Sequence, residues 1–329
     1  MQRTAIIGTG KVAHDHAQAI QRLGHHVVAG CASSPESASW RAFSEKFPQA
    51  DYTPLDDLLA RDDIDAFVVT AAWRAMPGML PRLLAHPKPM LLEKPIEFDA
   101  KRLAAAIDGA GAAIGNKVVG MNRRFYDPVI KLKQRLQRGG LIRAEIVVSE
   151  NLENLVKRWG AEILPHVLAY SSCHILDVAQ FLLGTLRPAF LHAAAAPGFE
   201  PFVNLNGALM SDEHNALVSL AINAFEPSAV GITCAFNDRT VWRLNPMEVL
   251  TVYEDYDKIE PTEEYPVRRY QPRPIRKEVV NLDFRPGFLQ QMEAFLAGRR
   301  ESAATPQSFL TLLEWTDAAR RMGIAVAGL

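Results

Sequence analysis

The chain has 329 residues, 48% hydrophobic and 22% charged, with a formal net charge of -1, a globular profile long enough for two domains. A balance so close to neutral supplies no field that draws a protein to nucleic acid or to an anionic membrane, so neither is expected as a partner. Cys31, Cys173 and Cys234 are too scattered for a disulfide framework or a metal knuckle, no apolar run approaches the ~20 residues that span a bilayer, and the N-terminus enters strand-like sequence without a signal-peptide pattern, so the expected location is the cytoplasm.

Short apolar runs alternate with helical patterns through the first third. The run Thr4–Ile7 precedes a helix from Val12 to Leu23, and Val27–Cys31 precedes a helix near Ser37–Lys46. Then come Leu55–Ala60, the run Ala66–Ala71, a helix near Met76–Ala85, the run Met90–Leu92, a helix over Ala100–Gly111 and the run Lys117–Met121. Continuous apolar runs between helices describe doubly buried strands, hence a parallel sheet covered on both faces. From about residue 122 the pattern changes. Asp127–Arg138 reads as a helix stopped by Gly139 and Gly140, and Ile142–Ser149 as a strand with one wet face. A helix is expected from Leu164 to Leu183, then strands near Ala189–Ala195, Ala216–Ala224, Ala229–Phe236 and Val249–Tyr253, forming a second, mainly antiparallel sheet. Gly287–Ala297 and Ser308–Met322 return to helical pattern. The fold class is therefore α/β, a doubly wound parallel sheet over 1–121 and a substrate-binding and oligomerisation domain over 122–329, whose last helices pack back on the first domain.

Residues 5–13 read Ala-Ile-Ile-Gly-Thr-Gly-Lys-Val-Ala, a G-x-G-x-x-A loop between a strand and a helix. Gly8 permits the tight turn, Gly10 admits a pyrophosphate close to backbone, and Ala13 lets helix and strand approach. The helix N-terminus offers its N–H groups to the phosphates. Gly8, Thr9, Gly10, Lys11 and Val12 are thus the expected dinucleotide loop, and Thr70, ending a later strand, joins the set. Lys11 is not a triphosphatase lysine, because Val12 stands where Ser or Thr holds magnesium. The second strand ends in Cys31-Ala32-Ser33-Ser34-Pro35, with no Asp or Glu for a ribose 2′-hydroxyl. Ser33 and Ser34 tolerate a 2′-phosphate, so NADP is preferred slightly over NAD.

With this loop, Glu93-Lys94-Pro95 after a later strand, Asn122-Arg123-Arg124-Phe125 opening the second domain, and His174-x-x-Asp177, the chain resembles the Gfo/Idh/MocA oxidoreductases nearly end to end. The resemblance implies a Rossmann domain joined to an open-sheet α/β domain, and oxidation or reduction at a hydroxyl or keto carbon of a sugar, cyclitol or nucleotide-sugar. It implies that Lys94 lies beside the nicotinamide and holds the reacting oxygen, with the bond to Pro95 often cis, and that Glu93 holds the turn or orients cofactor. It also implies pairing into a homodimer or homotetramer.

His166, Tyr170, His174 and Asp177 follow Pro165 at steps of four, four and three, which one regular helix brings to one face. By resemblance His174 is the general acid/base, a task suited to imidazole near neutral pH. Two positions depart from the family's D-x-G-x-H-x-x-D: Tyr170 replaces the first Asp, and Ser172 the Gly. Tyr170 then binds substrate or shares the proton, while Asn122, Arg123 and Asp177 complete the substrate set. The competing function is a catalytically inactive cofactor-binding sensor or scaffold, kept open by those two replacements. Lys157, Arg158 and Trp159 read as a loop, and the Arg-rich stretch Tyr265–Lys277 as an exposed edge or loop. No His/Cys grouping has metal-ligand spacing.

Overall fold

The computed structural model describes residues 1–224 and 226–327, with side chains as far as Arg321. The chain separates into two compact units, Met1–Phe125 with Leu282–Asp317, and Tyr126–Asn281 with Ala318–Leu329. The first unit therefore ends at Phe125 rather than at 121, and 282–317 belongs to it rather than to the second domain. Packing explains the transfer: Met292, Phe295 and Leu296, from a helix over Phe288–Leu296, share one buried cluster with Ala13, Ala17 and Ile20.

The first unit runs β1 (Arg3–Ile7), α1 (Lys11–Arg22), β2 (His26–Cys31), α2 (Ala38–Lys46), β3 (Asp51–Tyr52), α3 (Leu55–Ala60), β4 (Ala66–Val69), α4 (Met76–Ala85), β5 (Met90–Leu92), α5 (Ala100–Ala110) and β6 (Lys117–Val119). All strand pairs are parallel, in the order β3-β2-β1-β4-β5-β6. The order reverses between β1 and β4, which opens a crevice at the carboxyl ends of the strands where such sheets bind ligands. The strands are apolar because both faces are covered; Phe67, Val68 and Val69 are wholly buried. Ala13 and Ala17 keep α1 close to the sheet, and Ser37 and Asp99 cap α2 and α5 by accepting from Trp40 N and Arg102 N.

The second unit begins with α6 (Asp127–Leu136), β7 (Leu141–Glu150) and α7 (Leu152–Trp159). A 3₁₀ turn over Ala161–His166 and a π-helical turn over Leu168–Ser172 lead into α8 (Cys173–Leu183). Then follow β8 (Leu186–Ala195), β9 (Val203–Ser211), β10 (Ala216–Ala224), β11 (Gly231–Phe236), β12 (Thr240–Leu244), β13 (Val249–Ile259) and β14 (Arg269–Val279). The sheet order is β14-β13-β12-β11-β7-β10-β9-β8, antiparallel throughout except for β7 beside β10. Buried Ala144, Ile146 and Val148 of β7 alternate with half-exposed neighbours, as a sheet covered on one face requires. The Arg-rich stretch is the exposed edge strand β14. Its Pro272 and Pro274 suit an edge, where missing N–H donors leave no gap in the ladder. Lys157–Trp159 end α7, a helix rather than a loop; Asn151 caps it by accepting from Asn154 N.

Candidate functional site

At the carboxyl edge of the first sheet the hydrogen-bond ladder continues past the strands. Gly8 N donates to Cys31 O (2.8 Å), Thr70 N to Ile7 O (2.7 Å), Glu93 N to Val69 O (2.7 Å) and Gly120 N to Leu92 O (2.7 Å). The Thr70 hydroxyl donates to Gly8 O. Backbone bonds thereby fix the loops after β1, β4, β5 and β6 side by side. Gly8 has φ +90°, and a β-carbon there meets Ala71 N at 2.6 Å, so only glycine serves. Gly10 is different: a β-carbon there finds no atom within 4 Å. Open space in front of Gly10, with α1 starting at Lys11 and no acid in its first turn, fits the pyrophosphate of a dinucleotide. Thr9 is buried and donates to Ser39 Oγ (3.2 Å), tying the loop to α2. Ser33 and Ser34 follow β2, beside the glycine turn.

The bond Lys94–Pro95 is cis. The Glu93 carboxylate lies 2.8 Å from His16 Nε2, and a β-carbon on Gly120 meets the same oxygen at 2.8 Å. Glu93 is therefore held inside the unit by α1 and the loop after β6. His16 was not read from the sequence; its one signal was a titratable side chain on the buried face of α1. The Asn122 amide donates to Pro286 O (2.9 Å) and Arg124 to Ala303 O (3.2 Å), which anchors the 3₁₀ turn Asn122–Phe125 to the returning segment of the same unit. Arg123, between them, is half-buried.

In the second unit the expected single helix is broken in type. His166 closes the 3₁₀ turn, Tyr170 lies in the π turn, and only His174 and Asp177 belong to α8. The four residues thus lie in turns of three different pitches rather than in one regular helix. Tyr170 and His174 are half-buried among buried neighbours, and Asp177 is buried. Burial pushes the Tyr170 phenol above its ordinary value, so it remains a neutral donor. Its ring meets Trp159 edge-on at 5.8 Å, and Arg158 stacks over Trp159 at 4.9 Å, so two of the α7 candidates pack around Tyr170. Ser172, the replacement for glycine, donates to Glu150 Oε1 (2.6 Å) with both residues buried. Glu150 ends β7 and walls a cavity of about 410 Å³ together with Ser149, Asn151, Glu226 and Ser228. Neither Glu150 nor this bond was read from the sequence.

Among the described residues no group of three His, Cys, Asp or Glu is placed to hold a metal, and no helix is long and apolar enough to cross a membrane. A family model described as an oxidoreductase family with an NAD-binding Rossmann fold matches residues 2–117. The chain is similar to inositol 2-dehydrogenase of Rhizobium meliloti (strain 1021), 25% identical over 201 residues that make up 59% of this chain and 58% of the relative. The chain thus spans little more than half the length of this curated relative. Over nearly the full chain the fold matches a myo-inositol dehydrogenase of Corynebacterium glutamicum ATCC 13032 (TM-score 0.70, 16% identity, 99% of this chain and 97% of that one). It also matches the UDP-N-acetylglucosamine 3-dehydrogenase of Acidithiobacillus ferrooxidans (TM-score 0.71, 17% identity, 98% of each chain).

Proposed function

We propose that this chain, whose residues 2–117 match an oxidoreductase family model with an NAD-binding Rossmann fold, is an NAD(P)-dependent dehydrogenase of the Gfo/Idh/MocA family acting on a secondary alcohol or ketone of a sugar, cyclitol or nucleotide-sugar. The observation that carries the proposal is the carboxyl edge of the first sheet, where the glycine loop after β1 and the Glu93-Lys94-Pro95 segment after β5 are fixed on either side of the end of β4. The names of the similar proteins, an inositol 2-dehydrogenase and a UDP-N-acetylglucosamine 3-dehydrogenase, both denote ring carbons that carry a secondary hydroxyl, which supports the substrate class.

The nicotinamide, when bound, accepts or returns a hydride. Gly8, Thr9, Gly10, Lys11 and Val12 hold its phosphates, Thr70 and the Glu93–Lys94 segment border it, and Ser33 and Ser34 face the adenosine ribose. With no carboxylate ending β2, NADP is assigned ahead of NAD. The Lys94 ammonium binds the reacting oxygen and stabilises the negative charge that grows there, an effect strongest in a site from which water is excluded. His174 takes the hydroxyl proton in oxidation and gives it back in reduction. Tyr170, kept neutral by burial, donates a hydrogen bond to substrate, with Asn122, Arg123 and Asp177 as further contacts.

The test is an initial-rate panel at 340 nm with NAD⁺ and NADP⁺ against cyclitols, hexoses and nucleotide-sugars, run on wild type and His174→Ala. Turnover of at least one of these substrates, lost in His174→Ala by a factor of about 10² or more, is expected. Cofactor binding with no turnover on any of them points instead to an inactive nucleotide-binding sensor or scaffold.

A further inference from the structure

His16 is wholly buried, and its Nε2 lies 2.8 Å from Glu93 Oε1. Its other nitrogen, Nδ1, is buried with no hydrogen-bond partner among the described residues. A carboxylate can only accept, so the bond to Glu93 is donated by Nε2–H. His16 is therefore a fixed donor to the Glu93 carboxylate. Phe288 packs beside the ring at 4.8 Å. Glu93 is in turn pinned three ways: by His16, by its own N–H on Val69 O (2.7 Å), and by Gly120, whose missing side chain makes room for the carboxylate. The next residue is Lys94.

We propose that His16 is a positioning residue for Lys94: by holding the Glu93 side chain it sets the peptide plane from which the lysine leaves the sheet. This rests on the role given to Lys94 above. A position so central to catalysis needs support from residues locked by packing and hydrogen bonds, and α1, which begins at the dinucleotide loop, supplies it. The same helix thus couples the placement of cofactor phosphates to the placement of the ammonium.

The experiment compares wild type with His16→Leu, which removes the donor, and His16→Gln, whose amide N–H replaces Nε2–H. Because Leu leaves a carboxylate without its donor, the double variant His16→Leu/Glu93→Met is made as well, which folds without an orphaned charge. Three quantities are read: the reductive methylation rate of Lys94 by mass spectrometry, the NADH and NADPH dissociation constants by fluorescence, and kcat and KM with the cofactor and substrate that wild type turns over in the panel above. His16→Leu and the double variant are expected to speed Lys94 labelling by about threefold or more, and His16→Leu to cut kcat by about tenfold or more with KM and NADH binding within about twofold of wild type. His16→Gln is expected to stay within about threefold of wild type in all of them. Unchanged labelling in His16→Leu, or His16→Gln falling as far as His16→Leu, overturns the proposal. If Lys94→Ala itself keeps full turnover, the dehydrogenase role of Lys94 fails, while the labelling rate still decides what His16 holds.

Discussion

Two glycines a single residue apart in the dinucleotide loop should fail in opposite ways. Gly8→Ala puts a β-carbon at φ +90°, 2.6 Å from Ala71 N and 2.7 Å from Ala71 Cα. The left-handed backbone costs about 1–2 kcal/mol, and crowding against main-chain atoms that cannot turn aside costs about 1–3 kcal/mol more. Unfolding free energy should therefore drop by about 2–5 kcal/mol. Gly10 has φ -71° and ψ -175°, extended backbone open to any residue, and its β-carbon meets nothing within 4 Å. Gly10→Ala should leave stability unchanged or raise it by up to about 1 kcal/mol, yet weaken NADH binding by about tenfold or more, because the methyl occupies the space assigned to the pyrophosphate. Urea denaturation and NADH fluorescence titration of both variants separate the two effects. If Gly10→Ala binds NADH as tightly as wild type, the cofactor has been put in the wrong place.

Lys117 is buried, with its ammonium donating to His86 O (2.6 Å), Lys88 O (3.0 Å), Ala113 O (3.1 Å) and Asn116 Oδ1. Lys117→Met should cost about 2–4 kcal/mol in urea unfolding by leaving these acceptors bare, whereas Lys101→Met on the exposed face of α5 should cost almost nothing. Burial holds His14, His25 and His86 below their usual 6.5. The unfolded chain then binds protons more readily than the folded one, so their contribution is complete above about pH 6.5 and is lost as pH falls below it. His86 shows why: its Nδ1 accepts from Lys88 N (3.2 Å) and its Nε2 faces Leu59 O (3.0 Å), a pattern that only the neutral ring satisfies. The melting temperature should fall between pH 7 and pH 5, and His86→Gln should flatten part of that fall. Ser172→Ala removes the donor to buried Glu150 and should lower unfolding free energy by about 1–3 kcal/mol, while half-buried Ser171→Ala should not.

The first unit was legible because its signals are local. Strands buried on both faces read as unbroken apolar runs, and the loop after β1 depends on glycines whose backbone freedom is visible in the letters themselves. β3 was missed at two residues long. β9 carries Asn204, Asn206 and Gly207, which blur the alternation, and β14 is exposed along nearly its whole length, so no apolar face marks it. The helix α7 does carry an apolar stripe, Leu152, Leu155, Val156 and Trp159 at helical spacing, but it is short and only Leu152 is fully buried. The π turn at Leu168–Ser172 looks like α-helix to any argument from periodicity. In the sites, residue types were legible and partners were not. Glu93 and His16 stand 77 residues apart and Ser172 and Glu150 stand 22 apart, separations that no local pattern encodes. Tyr170 and Ser172 looked like losses in sequence; Ser172 instead gains a hydrogen bond from β7, and Tyr170 gains a packed partner in Trp159.

Lys94 carries the proposed chemistry most directly. Turnover and NADH affinity should be measured on one preparation of Lys94→Ala, with the substrate on which wild type is active. Loss of kcat by about 10³ or more with NADH affinity within about threefold is the expected result. Turnover that survives the loss of the ammonium contradicts it.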